Sequence, residues 1–377
     1  MRIKLIATAT FGLEAVVRRE IEALGYEIIK TENGKVTFWG DERAIARCNI
    51  WLRTADRVLL LMGEFEAFEF EDLFQQVKAL PWEQLIPPDG RFTVTGTSVK
   101  SKLHSVPACQ SVTKKAIASK LGEIYCMDTL PETGAAYNVK VTLLRNRVTL
   151  PADTSGEGLH KRGYRAAAVA APIKETLAAA MVELSFWNKD RLLADPCCGS
   201  GTIAIEAAMI GKNIAPGLSR NFASEGWDII KPEIWKEERK KAFSAIDNGV
   251  HLRISASDND GRAVAAAREN ALEAGVSDDI KFNEADMTGF ESDEPGGIII
   301  TNPPYGERIG ERKQIERIYA KYREFFSEHQ DWSLFMITTD KTAEEKVFAR
   351  PADRRRKLYN GRLEVCYYQF HGKKSKK

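Results

Sequence analysis

Short apolar stretches alternate with segments of helical period through the second half of the chain, the pattern of a parallel sheet covered by helices on both faces. Arg191 to Asp195 reads as an apolar strand ending in an acid, and Gly201 to Ile210 as a helix opening at a Gly-Thr pair. Leu252 to Asp258 predicts a second strand, Arg262 to Ala274 a helix stopped by Gly275, and Ile280 to Asp286 a third strand. A fourth, Gly297 to Thr301, runs straight into Asn302, Pro303, Pro304 and Tyr305. Ile315 to Phe326 has helical spacing and Trp332 to Thr338 predicts a fifth strand. Arg356 to Tyr359 and Leu363 to Phe370 alternate like a closing hairpin around Asn360-Gly361, and Gly372 to Lys377 reads as a frayed basic tail.

The first half has a different texture. Short strands (Ile3 to Ala7, Lys35 to Trp39, Val58 to Phe65, Phe92 to Gly96, Tyr137 to Leu144) are interleaved with amphipathic helices at Leu13 to Leu24, Asp72 to Ala79 and Cys109 to Leu121, the last ending at Gly122. This predicts an α+β region, joined to the second half through the glycine-rich, basic stretch Asp153 to Tyr164.

With 377 residues, 44% of them hydrophobic and 29% charged, the chain is long enough for two or three domains with real cores. No apolar stretch approaches the ~20 residues of a membrane span, and Met1 to Thr10 is too polar for a secretory signal, so a cytoplasmic protein without a membrane partner is expected. Six cysteines (Cys48, Cys109, Cys126, Cys197, Cys198, Cys366) show no Cys-x-x-Cys spacing and the five histidines form no helical pair, so neither a disulfide framework nor a zinc site is indicated. The net charge of +2 hides a local asymmetry: residues 61–90 carry one basic and seven acidic side chains, 91–165 twelve and five, and 341–377 twelve and four. The two basic stretches are what a phosphate backbone selects for, although a solvated face explains a charge run equally well.

The chemistry concentrates at the strand ends. In an open α/β sheet ligands bind outside the carboxyl ends of the strands, and here Asp195, Asp258 and Asp286 occupy three such ends while Asn302 to Tyr305 occupy the fourth. Asn302 offers a side-chain oxygen and Pro303 a carbonyl, two acceptors aimed by a rigid backbone that can orient the hydrogens of a base amino group. Tyr305 adds a flat face for a stacked base. An ordinary proline turn is the structural alternative for the four residues taken alone. The segment Asp195 to Thr202, with Gly199, Ser200 and Gly201, makes a tight turn that lets a ligand approach the backbone. It lacks the Lys-Ser/Thr of a phosphate loop, and a carboxylate at Asp195 suits a sulfonium or ammonium better than a triphosphate. A dinucleotide site would place its ribose acid ~20 residues on, whereas Asp258 follows Gly199 by 59. Cys197 and Cys198 read as small buried hydrophobes rather than nucleophiles.

Residues 165–377 resemble a class I S-adenosylmethionine-dependent methyltransferase of the amino-methylating kind. Asp153-Thr-Ser-Gly, His160-Lys-Arg-Gly-Tyr-Arg165, Ile214-Ala-Pro-Gly-Leu and Lys357-Leu-Tyr-Asn-Gly361 resemble the THUMP-domain RNA methyltransferases, most closely the bacterial group that methylates guanine N2 in 23S ribosomal RNA. The resemblance implies a Rossmann-like α/β domain at 156–377, with a mostly parallel seven-stranded sheet and an antiparallel end hairpin. Ahead of it, it implies an N-terminal α+β RNA-binding region made of a ferredoxin-like segment at 1–60 and a THUMP domain at 61–155. It further implies S-adenosylmethionine as cofactor and no metal. The methionine part would sit at Asp195, Gly199, Ser200, Gly201 and Thr202, the ribose at Asp258 and Asn259, and the adenine at Asp286 and Met287, with Ala170 to Thr176 flanking the cofactor tail. Lys100, Lys102, His104, Lys114, Lys115, Arg162 and Arg165 would face RNA, expected to be ribosomal. The corner itself does not separate guanine N2 from adenine N6; methylation of transfer RNA, and a non-catalytic RNA-binding or ribosome-assembly factor, stay open beside it, as does the choice between monomer and dimer.

Overall fold

The computed structural model describes residues 2–165, 173–305 and 309–373. They form two compact units that are not contiguous in sequence: Met1–Ala9, Val17–Leu159 and Arg220–Lys241 make the first, and Thr10–Val16, His160–Ser219 and Ala242–Lys377 the second.

The first unit is built on β1 (Ile3–Ala9), α1 (Glu14–Ala23), β2 (Ile28–Glu32), β3 (Lys35–Gly40), α2 (Glu42–Trp51), β4 (Ala55–Glu66), α3 (Phe70–Lys78), β5 (Arg91–Val99), α4 (Val106–Tyr125), β6 (Ala136–Leu144) and β7 (Arg147–Asp153). One seven-stranded sheet, ordered β2-β3-β1-β4-β7-β6-β5, runs through the whole α+β region, and only its β5-β6 pair is parallel. The long strand β4 joins its two parts by pairing β1 on one side and β7 on the other. Strands β2 and β7 and helix α2 were not in the sequence reading; α2 is nonetheless capped by Asp41, whose side chain accepts the Ala44 N–H. Helix α4 does not end at Gly122 as predicted but runs on to Tyr125, with Cys126 left-handed at its end. Gly122 serves a close approach instead: its carbonyl accepts the Met127 N–H at 3.0 Å, and a Cβ there would stand 2.9 Å from the Met127 oxygen.

Residues Arg220–Lys241 complete this unit. Trp227 stacks on Tyr137 with ring centroids 5.0 Å apart, and buried Glu238 takes Arg43 and Arg47, each at 2.8 Å. Burial alone would raise the Glu238 pKa, but hydrogen bonds from Arg47, Arg43 and Lys241 overcome it and hold the carboxyl at about 2. This contribution is therefore complete above the ordinary carboxylate range and is lost only as the pH falls from 4.5 toward 2.

The second unit contains α5 (Glu175–Leu184), β8 (Leu193–Asp195), α6 (Thr202–Gly211), β9 (Ile254–Asp258), α8 (Gly261–Glu273), β10 (Ile280–Glu284), β11 (Ile298–Thr301), α9 (Ile309–Glu328), β12 (Ser333–Thr338), α10 (Ala343–Phe348), β13 (Arg354–Asn360) and β14 (Leu363–Phe370), while α7 (Pro232–Ser244) leads out of the inserted segment. The sheet order is β10-β9-β8-β11-β12-β14-β13, the first five strands parallel and the last two antiparallel, as the pattern of apolar runs predicted. Period-two alternation divides the core. Ile298, Ile300, Phe335 and Ile337 face the layer of α5, α6 and α8, while Ile299, Leu334 and Met336 face α9 and α10. Buried on both faces, β11 and β12 read as continuous apolar runs because both sides are covered.

Candidate active site

The parallel register sets the carboxyl ends of β8, β9 and β11 side by side: Asp195 pairs with Ala256, two residues before Asp258, and Ile299 pairs with Ala194, three residues before Asn302. Between β8 and α6 the chain turns through Gly199 and Gly201, at φ +53° and +80°. The turn is pinned to its neighbours. Cys198 N–H donates to the Ser257 carbonyl and Gly199 N–H to Asp258 Oδ2, each at 2.9 Å, while Asn270 Nδ2 on α8 holds the Ser200 carbonyl at 3.1 Å. A Cβ on Gly199 would meet nothing within 4 Å, so the backbone there borders open space, whereas on Gly201 it would stand 3.0 Å from Ala267 Cβ. The first glycine leaves room for a ligand and the second lets α6 pack on α8.

Asp195 is 1% exposed, and its Oδ2 has no hydrogen-bond partner among the described residues. Burial lifts its pKa to about 7; the nearby Thr301 hydroxyl and the Cys197 N–H, 3.4 Å from Oδ1, draw it partly back, and the Asp258 charge adds to the rise. Thr301 Oγ1 is near enough to act on the Asp195 carboxyl and is itself a buried atom without a hydrogen-bond partner among the described residues. Such a carboxyl is poised to meet a cation. Asp258 spends both oxygens locally, on Gly199 N–H and on Asp260 N–H at 3.0 Å, though each keeps a further lone pair. Asn259 is exposed beside it.

At the end of β11 the Asn302 Oδ1 atom is buried and unpartnered among the described residues. A buried acceptor left open is rare in a folded interior. Pro303 is buried, Pro304 half-buried, and half-buried Tyr305 packs its ring against the main core rather than standing clear of it.

Several expected roles change in the structure. Strand β10 stops at Glu284, and Asp286 caps the short turn Met287–Gly289 through Thr288 N and Oγ1, both at 2.8 Å. Met287 is buried in the core on the α9 face. Cys197 and Cys198 have pKa values raised by burial and by the Asp195 and Asp258 charges, which keeps both thiols protonated. Arg162, expected to face RNA, is buried instead: its guanidinium pairs with fully buried Glu206 on α6 at 3.2 Å, and Tyr164 Oη donates to the same carboxylate at 3.1 Å. Arg165 likewise turns inward, to Glu175 and Thr202. The cause is legible only in three dimensions, since α6 carries a glutamate on its core face that requires a cation. Of residues 170–176, those up to 172 lie outside the described residues. Lys100, Lys102, His104, Lys114 and Lys115 are all exposed on the first unit, with Lys102 Nζ 5.4 Å from the Phe68 ring centre.

Sequence reasoning missed Thr301, Glu206 and Asn270. Thr301 left a signal, a hydroxyl closing an otherwise all-isoleucine strand; Glu206 left a weaker one, an acid inside an alanine-rich helix.

Comparison with known proteins bears on this geometry. The RMKL-like methyltransferase domain matches residues 162–369, the RlmL ferredoxin-like domain residues 4–59 and the THUMP domain residues 67–153. The chain is 48% identical to YpsC of Bacillus subtilis, assigned provisionally as an RNA methyltransferase, over 98% of this chain and 96% of that one. The chain belongs to the RMKL-like methyltransferase family. A second member, ribosomal RNA large subunit methyltransferase K/L of Syntrophotalea carbinolica, is 34% identical over 98% of this chain, which spans about half (53%) of that longer protein. Among solved structures of similar shape, a Listeria monocytogenes protein described as a predicted N6-adenine-specific DNA methylase has a TM-score of 0.94 at 45% identity, covering 99% of this chain and 97% of its own. SMU.472, a candidate methyltransferase solved in complex with SAH, also scores 0.94, at 44% identity over 100% of this chain and 99% of its own.

Proposed function

We propose that the protein transfers a methyl group from S-adenosylmethionine to an exocyclic amino group of a base in RNA, and that the base is guanine, methylated at N2, in 23S ribosomal RNA. The observation that carries the reading is the buried Asn302 Oδ1 at the end of β11, which has no partner among the described residues, on the strand paired with β8, where Asp195 Oδ2 is likewise without one. The residues present fit the cofactor: a carboxyl with one oxygen, Asp195 Oδ2, without a partner among the described residues for its cationic tail, and a glycine turn bordering open space. Bound there, S-adenosylmethionine supplies an electrophilic methyl group. Asn302 Oδ1 and the Pro303 carbonyl accept the two amino hydrogens, which orients the nitrogen lone pair and favours the positive charge that grows on it. Tyr305, half-buried with its ring against the core, is the aromatic left to hold the extruded base through whatever part of the ring stays exposed. Asp195 with the 199–202 turn takes the methionine end, Asp258 and Asn259 the ribose, and the backbone around Asp286 the adenine.

The first unit supplies the grip on RNA, through Lys100, Lys102, His104, Lys114 and Lys115, and the division into segments 1–60, 61–155 and 156–377 belongs to the same reading. Support for RNA comes from the matched THUMP domain and from the two relatives named for RNA. Adenine N6 is the second reading, favoured by the description of the Listeria neighbour; both targets present an amino group to the same corner. Incubation with labelled S-adenosylmethionine and undermethylated ribosomal RNA, followed by nucleoside mass analysis, separates them. N2-methylguanosine is expected, N6-methyladenosine would transfer the assignment to adenine, and absence of transfer to any RNA would leave a binding factor.

Two further results are expected. Because the Asp195 pKa of about 7 lies above the usual 3.8, ionising the carboxyl costs the unliganded fold stability as pH rises between those values, and a bound cation reverses that cost. Cofactor affinity should therefore fall about tenfold per pH unit below 7, and Asp195→Asn should flatten the profile; calorimetric titration across pH 5–8 checks it, and a flat wild-type profile would remove Asp195 from the site. Replacing Lys100 and Lys102 with alanine should weaken RNA binding and reduce the slope of log affinity against log salt by about 1.5. An unchanged slope in a filter-binding series would place the phosphate contacts elsewhere.

A further inference from the structure

Arg165 lies where α5 and α6 both begin. Its Nε donates to Glu175 Oε1 at 2.9 Å, and its Nη2 to the Ile173 carbonyl and to Thr202 Oγ1, both at 3.2 Å. The remaining nitrogen, Nη1, is buried and has no hydrogen-bond partner among the described residues. A planar guanidinium presents its donors in a fixed fork, so with Nε and Nη2 already committed Nη1 points in a direction set by those bonds. Buried donors are nearly always matched in native interiors, by protein, water or a ligand, so a donor left open here at the head of two helices is a candidate contact.

The electrostatics point the same way. Helix starts concentrate positive potential and unsatisfied N–H groups. A cation between two of them is out of place unless anions accompany it. Glu175 is one such anion, at 2.8 Å, but it sits on Nε and Nη2 and leaves Nη1 untouched. At the opening of the same β8-to-α6 turn, Asp195, 1% exposed, leaves Oδ2 without a partner among the described residues. The turn that ends in Thr202 thus has an unmatched acidic acceptor at its start and an unmatched cationic donor against its end. A ligand head bearing both an ammonium and a carboxylate on one carbon, an α-amino acid, matches both; a phosphate or a ribose matches only one.

We propose that Arg165 Nη1 binds the α-carboxylate of the cofactor's amino-acid tail while Asp195 takes its ammonium. The proposal rests on the S-adenosylmethionine reading above and adds a residue and a function to it. It also accounts for the inward turn of Arg165, which a surface role in RNA binding leaves without a reason. A purely structural role, clamping α5 to α6, would use only the Nε and Nη2 bonds.

The test is a binding cycle on the full chain by calorimetry, with three probes: S-adenosylhomocysteine, its decarboxylated counterpart S-adenosyl-3-thiopropylamine, and methylthioadenosine, which lacks the whole amino-acid end. Wild type should prefer S-adenosylhomocysteine over the decarboxylated probe by about 10- to 100-fold. In Arg165→Gln that preference should collapse to within about threefold, while methylthioadenosine binds as in wild type. Because Arg165→Gln leaves buried Glu175 without its cation, the paired change Arg165→Gln with Glu175→Gln provides a variant with no stranded charge, and it should show the same collapse. Retention of the full preference in either variant, or equal weakening of all three probes, would overturn the inference and leave the cofactor reading standing. Failure of wild type to bind any of the three would overturn both.

Discussion

Asn302→Ala is expected to lower methyl transfer by at least about 10²- to 10³-fold, the usual cost of removing one preorganised polar partner of a transition state, while S-adenosylhomocysteine binds as before. The expectation follows from where the Asn302 oxygen sits. It is buried, it accepts nothing from the described residues, and it follows a strand whose last residue, Thr301, is itself fully buried. An amino nitrogen conjugated to a base ring has little electron density to give, so the step depends on holding both of its hydrogens as charge develops. Removing the side-chain acceptor leaves the Pro303 carbonyl as the single anchor. Asn302→Asp is the informative companion: it keeps an acceptor of the same shape but adds a charge beside Asp195, and it should recover part of the lost rate while weakening binding of an uncharged base less than that of an anionic one. Single-turnover rates with saturating RNA, set beside calorimetric affinities for S-adenosylhomocysteine, check both. A loss confined to cofactor affinity would move Asn302 to the cofactor half of the site.

Glu206→Ala should destabilise the second unit by about 3–5 kcal/mol, because it leaves the Arg162 guanidinium buried without a counter-charge. Arg162 and Glu206 are 2% and 0% exposed at their side chains, and Tyr164 completes the cluster by donating to the same carboxylate. The three residues tie the 160–165 segment to α6, the helix that starts at the glycine turn. Thermal melting followed by circular dichroism should show the midpoint of that unit falling by about 10 °C. The double change Arg162→Met with Glu206→Leu, which removes both charges and refills the volume, should recover most of it. Equal destabilisation by the single and double changes would mean that packing, not charge, is what the cluster contributes.

The architecture of the second unit was legible because a parallel sheet buried on both faces writes its strands as unbroken apolar runs, and Ile298 to Ile300 followed by a proline corner leaves little choice of ending. The acids at Asp195 and Asp258 were legible for a related reason: a charge closing an apolar strand needs either solvent or a ligand. What the sequence hid is what depends on long-range pairing. Nothing local to Arg162 distinguishes it from Lys161, which is exposed; only the buried Glu206, 44 residues away, decides which of the two turns inward. Strand β2 was missed because Ile28 to Glu32 lies at the edge of its sheet and alternates weakly, and β7 because Pro151 inside Arg147 to Asp153 argues against a strand. The predicted end of the third strand, Asp286, lies two residues beyond the observed end at Glu284, since strand ends are the least determined part of any periodic pattern.

The segment Arg220–Lys241 lies in sequence between stretches of the second unit and is built into the first. No single cut therefore divides this chain into two folding pieces: a truncation after Leu159 strips Tyr137 of Trp227 and leaves Arg43 and Arg47 without Glu238. During synthesis the first unit has its whole sheet by residue 153 but must wait for residue 241 before it can close. At ~5–20 residues per second that interval lasts roughly 4–18 s, during which the surface that will receive Trp227 stands open to chaperones and to mispairing.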